Sequence, residues 1–165
     1  MGFLTSLIGS ARGRDDAPKF RADEAIAYDP DLIAHLKEEH RELVTAFTAI
    51  KMAASECRFQ ELPVLLLGLK QTFQTHIMQE NVKLYLYVQR CCALDAATSD
   101  FVFELRRDMN GIARTLVKFV NAHTATVPTF DTIGMFKAEL DLICSLLLRR
   151  VHLEENRLYT LYKPA

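Results

Sequence analysis

The chain has 165 residues, half of them hydrophobic and a quarter charged, with a formal net charge of −1. That length suits one domain with a sizeable core of its own, and the balanced charge offers no basic footprint for nucleic acid. Four cysteines, Cys57, Cys91, Cys92 and Cys144, lack zinc-finger spacing, and an adjacent pair does not readily close its own disulfide, so reduced thiols in a cytoplasmic protein are expected.

The first 28 residues read as a flexible segment ahead of a domain over residues 29–165. The opening MGFLTSLIGSARGR has an apolar run far below the roughly 18 to 20 residues of a membrane span, and it lacks the basic start of a secretory signal. Gly9, Gly13, Asp15, Asp16 and Pro18 follow at once, which favours a flexible tail. An amphipathic hook that touches a partner or a membrane surface is the other reading.

From Asp29 onward the pattern is helical throughout. Asp29-Pro30 predicts a cap with proline at the first helical position, and the apolar stripe Leu36, His40, Leu43, Phe47, Ile50 carries that helix to about Ser55. A second helix is predicted from near Pro63, tolerated in a first turn, to about Arg90, with Leu62, Leu66, Leu69, Phe73, His76, Glu80, Leu84 and Tyr87 on one face. After a connection at Leu94–Thr98, a third begins at Ser99 or Asp100 and carries Val102, Leu105, Met109, Ile112, Leu116, Phe119 and His123. Pro128 and Thr129 separate it from a fourth, whose stripe reads Ile133, Phe136, Leu140, Cys144, Leu147, Val151, Glu155, Leu158, Tyr162. Sustained period-two alternation is missing, so no sheet is expected. Four long helices with short connections predict an all-α, up-down-up-down four-helix bundle.

His40, His76, Glu80 and Glu155 stand where apolar residues belong. In the antiparallel bundle they fall in one layer with Met109 and Val151, since each residue advances a helix by about 1.5 Å. An imidazole and a carboxylate at i and i+4 share one helix face, and nitrogen and carboxylate donors together suit iron, manganese or zinc. A metal site is one reading of the four residues. The other is a metal-free hydrogen-bonded network joined by Tyr85, Tyr87 or Tyr159, because a neutral imidazole between carboxylates can donate and accept.

The remaining polar residues are expected to do less. His35 lies about 140° around the helix from His40 and reads as a rim residue. His123 is placed at the far end of the bundle, in packing or capping. His152 joins the site only if the fourth helix rotates or bulges. Arg106, Arg107, Arg149 and Arg150 are assigned to solvated faces, with docking to an acidic partner helix as the alternative. Cys91 and Cys92 read as structural thiols.

The segments YDPDLIAHLKEEHREL, HIMQENVKLYLY and EENRLYTLY resemble the hemerythrin-like, or HHE, cation-binding domains of bacteria, over roughly residues 28 to 162. The resemblance implies a four-helix bundle with a non-haem di-iron site, used by relatives in oxygen or redox sensing and in oxygen or iron handling. It matches His40 to the first-helix histidine, His76 and Glu80 to the second-helix pair, and Glu155 to the bridging carboxylate of the fourth helix. Met109 stands in place of the third-helix histidine, and aligning the two Glu-Asn pairs puts Val151 in the slot of the fourth-helix histidine, with His152 one residue off. These departures imply a reduced iron site, with two ions, one or none. The expected function is a metal-binding sensor or regulatory protein without catalytic turnover. The alternative is a metal-free regulatory bundle that binds a partner protein in signalling or transcription control, as do some degenerate bundles among anti-sigma regulators. A homodimer through the tyrosine-rich helix ends is compatible with either.

Overall fold

The computed structural model describes residues 27–92 and 94–164; the expected flexible segment lies almost entirely outside them. Among the described residues the chain forms four helical rods and no strand. The first rod is α1 (Leu32–Ser55). The second runs from α2 (Leu62–Gln79) through a π turn (Glu80–Tyr85) into α3 (Leu86–Cys91). The third is α4 (Ala96–Ala125). The fourth runs from α5 (Ile133–Leu153) through a second π turn (Glu154–Leu158) to a 3₁₀ turn (Tyr159–Leu161).

Cross-rod bonds fix the up-down-up-down order. On the first and fourth rods, the Asp29 amide donates to the Tyr162 hydroxyl at 2.8 Å, and Lys51 pairs with Asp141 at 2.7 Å, so the rods run in opposite directions. The second and third rods are antiparallel by Lys70 to Asn121 and Arg106 to Asn81, at 3.2 and 2.9 Å. His123 joins Glu139 across the third and fourth at 3.0 Å. Each rod packs on the next and the fourth closes back on the first.

Two helix starts differ from the sequence reading. Asp29-Pro30 forms a turn ahead of α1, in which Asp29 Oδ1 accepts from the Asp31 amide at 3.0 Å and its carbonyl accepts from Leu32 at 3.2 Å. The third rod starts earlier than Ser99, because Asp95 is its N-cap and accepts from the Thr98 amide at 2.7 Å; such a cap stabilises a helix by about 1 kcal/mol. At the end of α1, Cys57 adopts φ 59° and the Arg58 amide bonds the Ala53 carbonyl at 2.9 Å. This is a Schellman closure with cysteine in the left-handed position that glycine usually takes.

The core is split in two. Leu43, Phe47, Ile50, Leu66, Phe73, Met109, Phe119, Phe136 and Leu147 belong to one apolar cluster. Leu32, Leu36, Leu84, Val102, Leu105 and Leu158 belong to the other. Between Leu36 and Leu43, Phe73 and Leu84, and Leu147 and Leu158 lies a layer of buried polar side chains: His40, His76, Glu80, Arg150 and Glu154. Burial of such groups without partners costs roughly 2 to 7 kcal/mol for a neutral one and more for a charge, so their mutual arrangement decides what the layer is.

Candidate metal centre

Helix periodicity brings the layer together, and the two π turns complete it. His40 projects from α1 one turn after Leu36. His76 and Glu80 follow Phe73 on the same face of the second rod, and Arg150 and Glu154 follow Leu147 on the fourth. A π turn admits one extra residue into the helical register. Here it turns two consecutive side chains inward, Leu84 with Tyr85 and Leu158 with Tyr159, all buried. Each turn starts at the core glutamate and delivers a tyrosine five residues later.

Donor atoms of His40, His76, Glu80 and Glu154 all lie within 4.8 Å of one another. His40 Nε2 and His76 Nε2 face each other at 3.2 Å. The outer nitrogens are taken up by carboxylates: His40 Nδ1 lies 2.8 Å from Glu155 Oε1, and His76 Nδ1 lies 2.9 Å from Glu39 Oε2. Gln79 steadies Glu39 by donating to its other oxygen at 2.6 Å. With a carboxylate accepting at each Nδ1, a neutral ring carries its proton there and presents its Nε2 lone pair to the centre. That is the carboxylate–histidine arrangement that orients imidazoles toward a metal.

The carboxylates of the layer are short of donors. Tyr159 Oη lies 3.1 Å from Glu80 Oε1 and 3.3 Å from His40 Nε2, with one proton to share between them. Glu80 Oε2 has no hydrogen-bond partner, and neither does Glu154 Oε2, although the latter lies 3.2 Å from His40 Nε2. Glu154 Oε1 accepts from Arg150 Nε at 2.5 Å, and Arg150 Nη2 donates to the Tyr85 hydroxyl. Four nitrogen and oxygen donors thus converge with lone pairs to spare, which suits one borderline divalent cation.

The proton affinities follow the same shortage. Burial, with the charge of Glu154, holds the Glu80 carboxyl well above the usual range. Burial opposes the charge on Glu154, yet the approach of His40 and the field of Arg150 lower its affinity. For His40 burial acts downward but the adjacent Glu154 and Glu155 carboxylates outweigh it, and the net shift is upward. His76 moves down, through burial and the adjacent His40. Burial drives the Tyr85 and Tyr159 hydroxyls strongly upward, so both stay protonated.

The model of the hemerythrin HHE cation binding domain matches residues 31–162. The chain belongs to the hemerythrin HHE family. No curated protein and no solved structure matches it. Cation binding is the property that the family's description names, and the buried cluster supplies donors for it.

Against the hemerythrin HHE pattern, three sequence expectations hold in place and two need correction. His40, His76 and Glu80 enter the cluster as expected. Glu155 does not; Glu154 takes its place, fully buried, while the Glu155 side chain is 32 % exposed and supports His40 from outside. Arg150 is not on a solvated face but buried at 3 % exposure beside Glu154. Both corrections have one cause: the inward face of the fourth rod is Leu140, Ile143, Leu147, Arg150, Glu154, Leu158, one residue out of phase with the expected stripe at three positions. Cys144 and Val151 are consequently only half-buried.

Met109 is buried in the apolar cluster, and the third rod adds no charged side chain to the buried layer. His35 is exposed. His123 packs between Phe119 and Phe136 at the far end. His152 is exposed and bonds Asn156 at 3.1 Å. Of the tyrosines, Tyr85 and Tyr159 join the network, whereas Tyr87 bonds the Lys163 carbonyl at 2.8 Å at the bundle end. The four cysteines are free thiols, and Cys92 donates to the Leu161 carbonyl at 3.2 Å. Among the described residues no helix is long and apolar enough to cross a membrane.

Proposed function

We propose that this chain is a metal-binding sensor or regulatory protein of the hemerythrin HHE family, bacterial and cytoplasmic, which holds non-haem iron on His40, His76, Glu80 and Glu154. The observation that carries the reading is the pair of Nε2 atoms facing each other at 3.2 Å, with each Nδ1 held by a carboxylate. Two lone pairs at that separation repel unless a proton or a cation lies between them. Nitrogen and carboxylate donors favour iron, manganese or zinc over calcium or magnesium.

Bound iron would supply a centre that responds to oxygen or redox state. The chain's own part is binding and orientation. Glu39 and Glu155 aim the imidazoles, Tyr159 holds Glu80, and the apolar clusters above and below exclude water. A binding role without turnover fits this enclosure. The test is elemental analysis of protein produced with added iron: close to one ion per chain is expected, and less than about a tenth would reject the reading.

A groove supports a second reading, a metal-free bundle that binds a regulatory partner. Between α4 and α5 an opening of about 620 Å³ is lined by Leu105, Ile112, Leu146 and Leu153, by the acidic Asp108, and by Arg107, Arg114 and Arg149. Apolar side chains with arginines in excess over one aspartate suit an amphipathic acidic helix. Partner binding that survives loss of His76 would favour this second reading.

A further inference from the structure

The second and fourth rods carry the same spacing with one exchange. On the second rod His76, Glu80 and Tyr85 stand at i, i+4 and i+9, with the π turn starting at the glutamate. On the fourth, Arg150, Glu154 and Tyr159 repeat the spacing about a second π turn. Arg150 therefore occupies the position that His76 holds on the twin rod.

We propose that Arg150 is a built-in second cation: its guanidinium takes the place that a second metal ion would need, so the centre holds one ion where the family's di-iron site holds two. The inference rests on the metal-binding reading and narrows it. Glu154 divides its oxygens, Oε1 to Arg150 Nε and Oε2 toward His40 Nε2. It bridges a guanidinium and a metal position rather than two metals. Neither the third nor the fourth rod adds a nitrogen ligand, because Met109 and Arg150 stand there. The guanidinium keeps its charge at any physiological pH, and with Nε on Glu154 and Nη2 on Tyr85 it is fixed in place.

The full chain, stripped by chelation, would be titrated with Zn²⁺ and Mn²⁺, with ions counted by elemental analysis and Mn²⁺ followed by paramagnetic resonance. Wild type is expected to take one ion per chain and show an isolated Mn²⁺ signal. R150K keeps the charge and should also take one. R150Q removes the charge but keeps an amide donor; it should bind the first ion at least about tenfold more tightly or accept a second. Two ions in wild type or in R150K would overturn the inference and leave metal binding intact, as would an R150Q titration identical to wild type. No ion in either wild type or R150Q overturns the metal reading and this inference with it. An ion in R150Q and none in wild type overturns both the metal-loaded wild type and the one-ion centre. Should R150Q fail to fold by circular dichroism, the wild-type and R150K counts decide.

Discussion

The His76–Glu80 half of the polar layer and the Arg150–Glu154 half share a backbone device and differ in what satisfies it. Both set a glutamate one turn after a nitrogen-bearing side chain and open a π turn at that glutamate. On the fourth rod Glu154 Oε1 meets the Arg150 guanidinium, while Arg150 Nη1 and Glu154 Oε2 have no hydrogen-bond partner. On the second rod Glu80 Oε1 lies 3.9 Å from His76 Nε2 and meets the shared Tyr159 proton, while Glu80 Oε2 has no hydrogen-bond partner. One helix motif thus carries its own fixed cation beside the glutamate on the fourth rod and an imidazole there on the second, according to a single residue.

The contrast is broken most directly at Arg150. In metal-free protein, Arg150→Met should cost about 3 to 5 kcal/mol of unfolding free energy, because it strands the Glu154 carboxylate in the core. Denaturant unfolding in chelator measures it. Added Zn²⁺ should recover part of the loss, since a ligand that binds only the folded state stabilises it. A loss below about 1 kcal/mol, the size of an ordinary surface change, would mean that the ion pair is not what holds this half together.

His76→Leu addresses the other half. Removing a ligand should weaken metal affinity by at least about a hundredfold, the upper end of what loss of a mere supporting group costs. Metal-free stability should move by less than about 1.5 kcal/mol, because leucine suits the stripe and Glu39 is left near solvent. Isothermal titration and chelator unfolding give the two numbers. If His76→Leu retains metal, or destabilises as much as Arg150→Met, the two halves do not differ in kind.

How far the sequence disclosed this arrangement depends on the rod. On the first and second rods the polar residues interrupt stripes with one acceptable phase, and every residue of Leu36–His40–Leu43–Phe47–Ile50 and Leu62–Leu66–Leu69–Phe73–His76–Glu80–Leu84–Tyr87 is buried. The fourth rod offers two phases that share Leu140, Leu147 and Leu158. Ordinary hydrophobicity prefers Val151 and Glu155 to Arg150 and Glu154, since an arginine in a core is expensive unless paired. The pairing was itself legible as an i, i+4 contact, but only tertiary burial shows that both partners face inward. The π turns were hidden for a related reason: nothing in the composition of ENVKLY or EENRL separates a π turn from an α turn. Only the paired inward tyrosines betray them.

The smallest expected effect concerns the carboxylates behind the imidazoles. Glu39→Gln and Glu155→Gln keep size and remove charge, so each should lower metal affinity about tenfold while leaving the count of ions per chain unchanged. Glu39 is the less exposed of the two, at 17 % of its side chain against 32 % for Glu155, and Gln79 holds its other oxygen. Its field is less screened by water, and it should therefore have the larger effect. Equal and negligible losses would show that the Nδ1 atoms need no carboxylate to orient them. A larger loss at Glu155 would place it nearer the cation than Glu154's burial implies, and would move the dependence on metal from the second rod to the fourth.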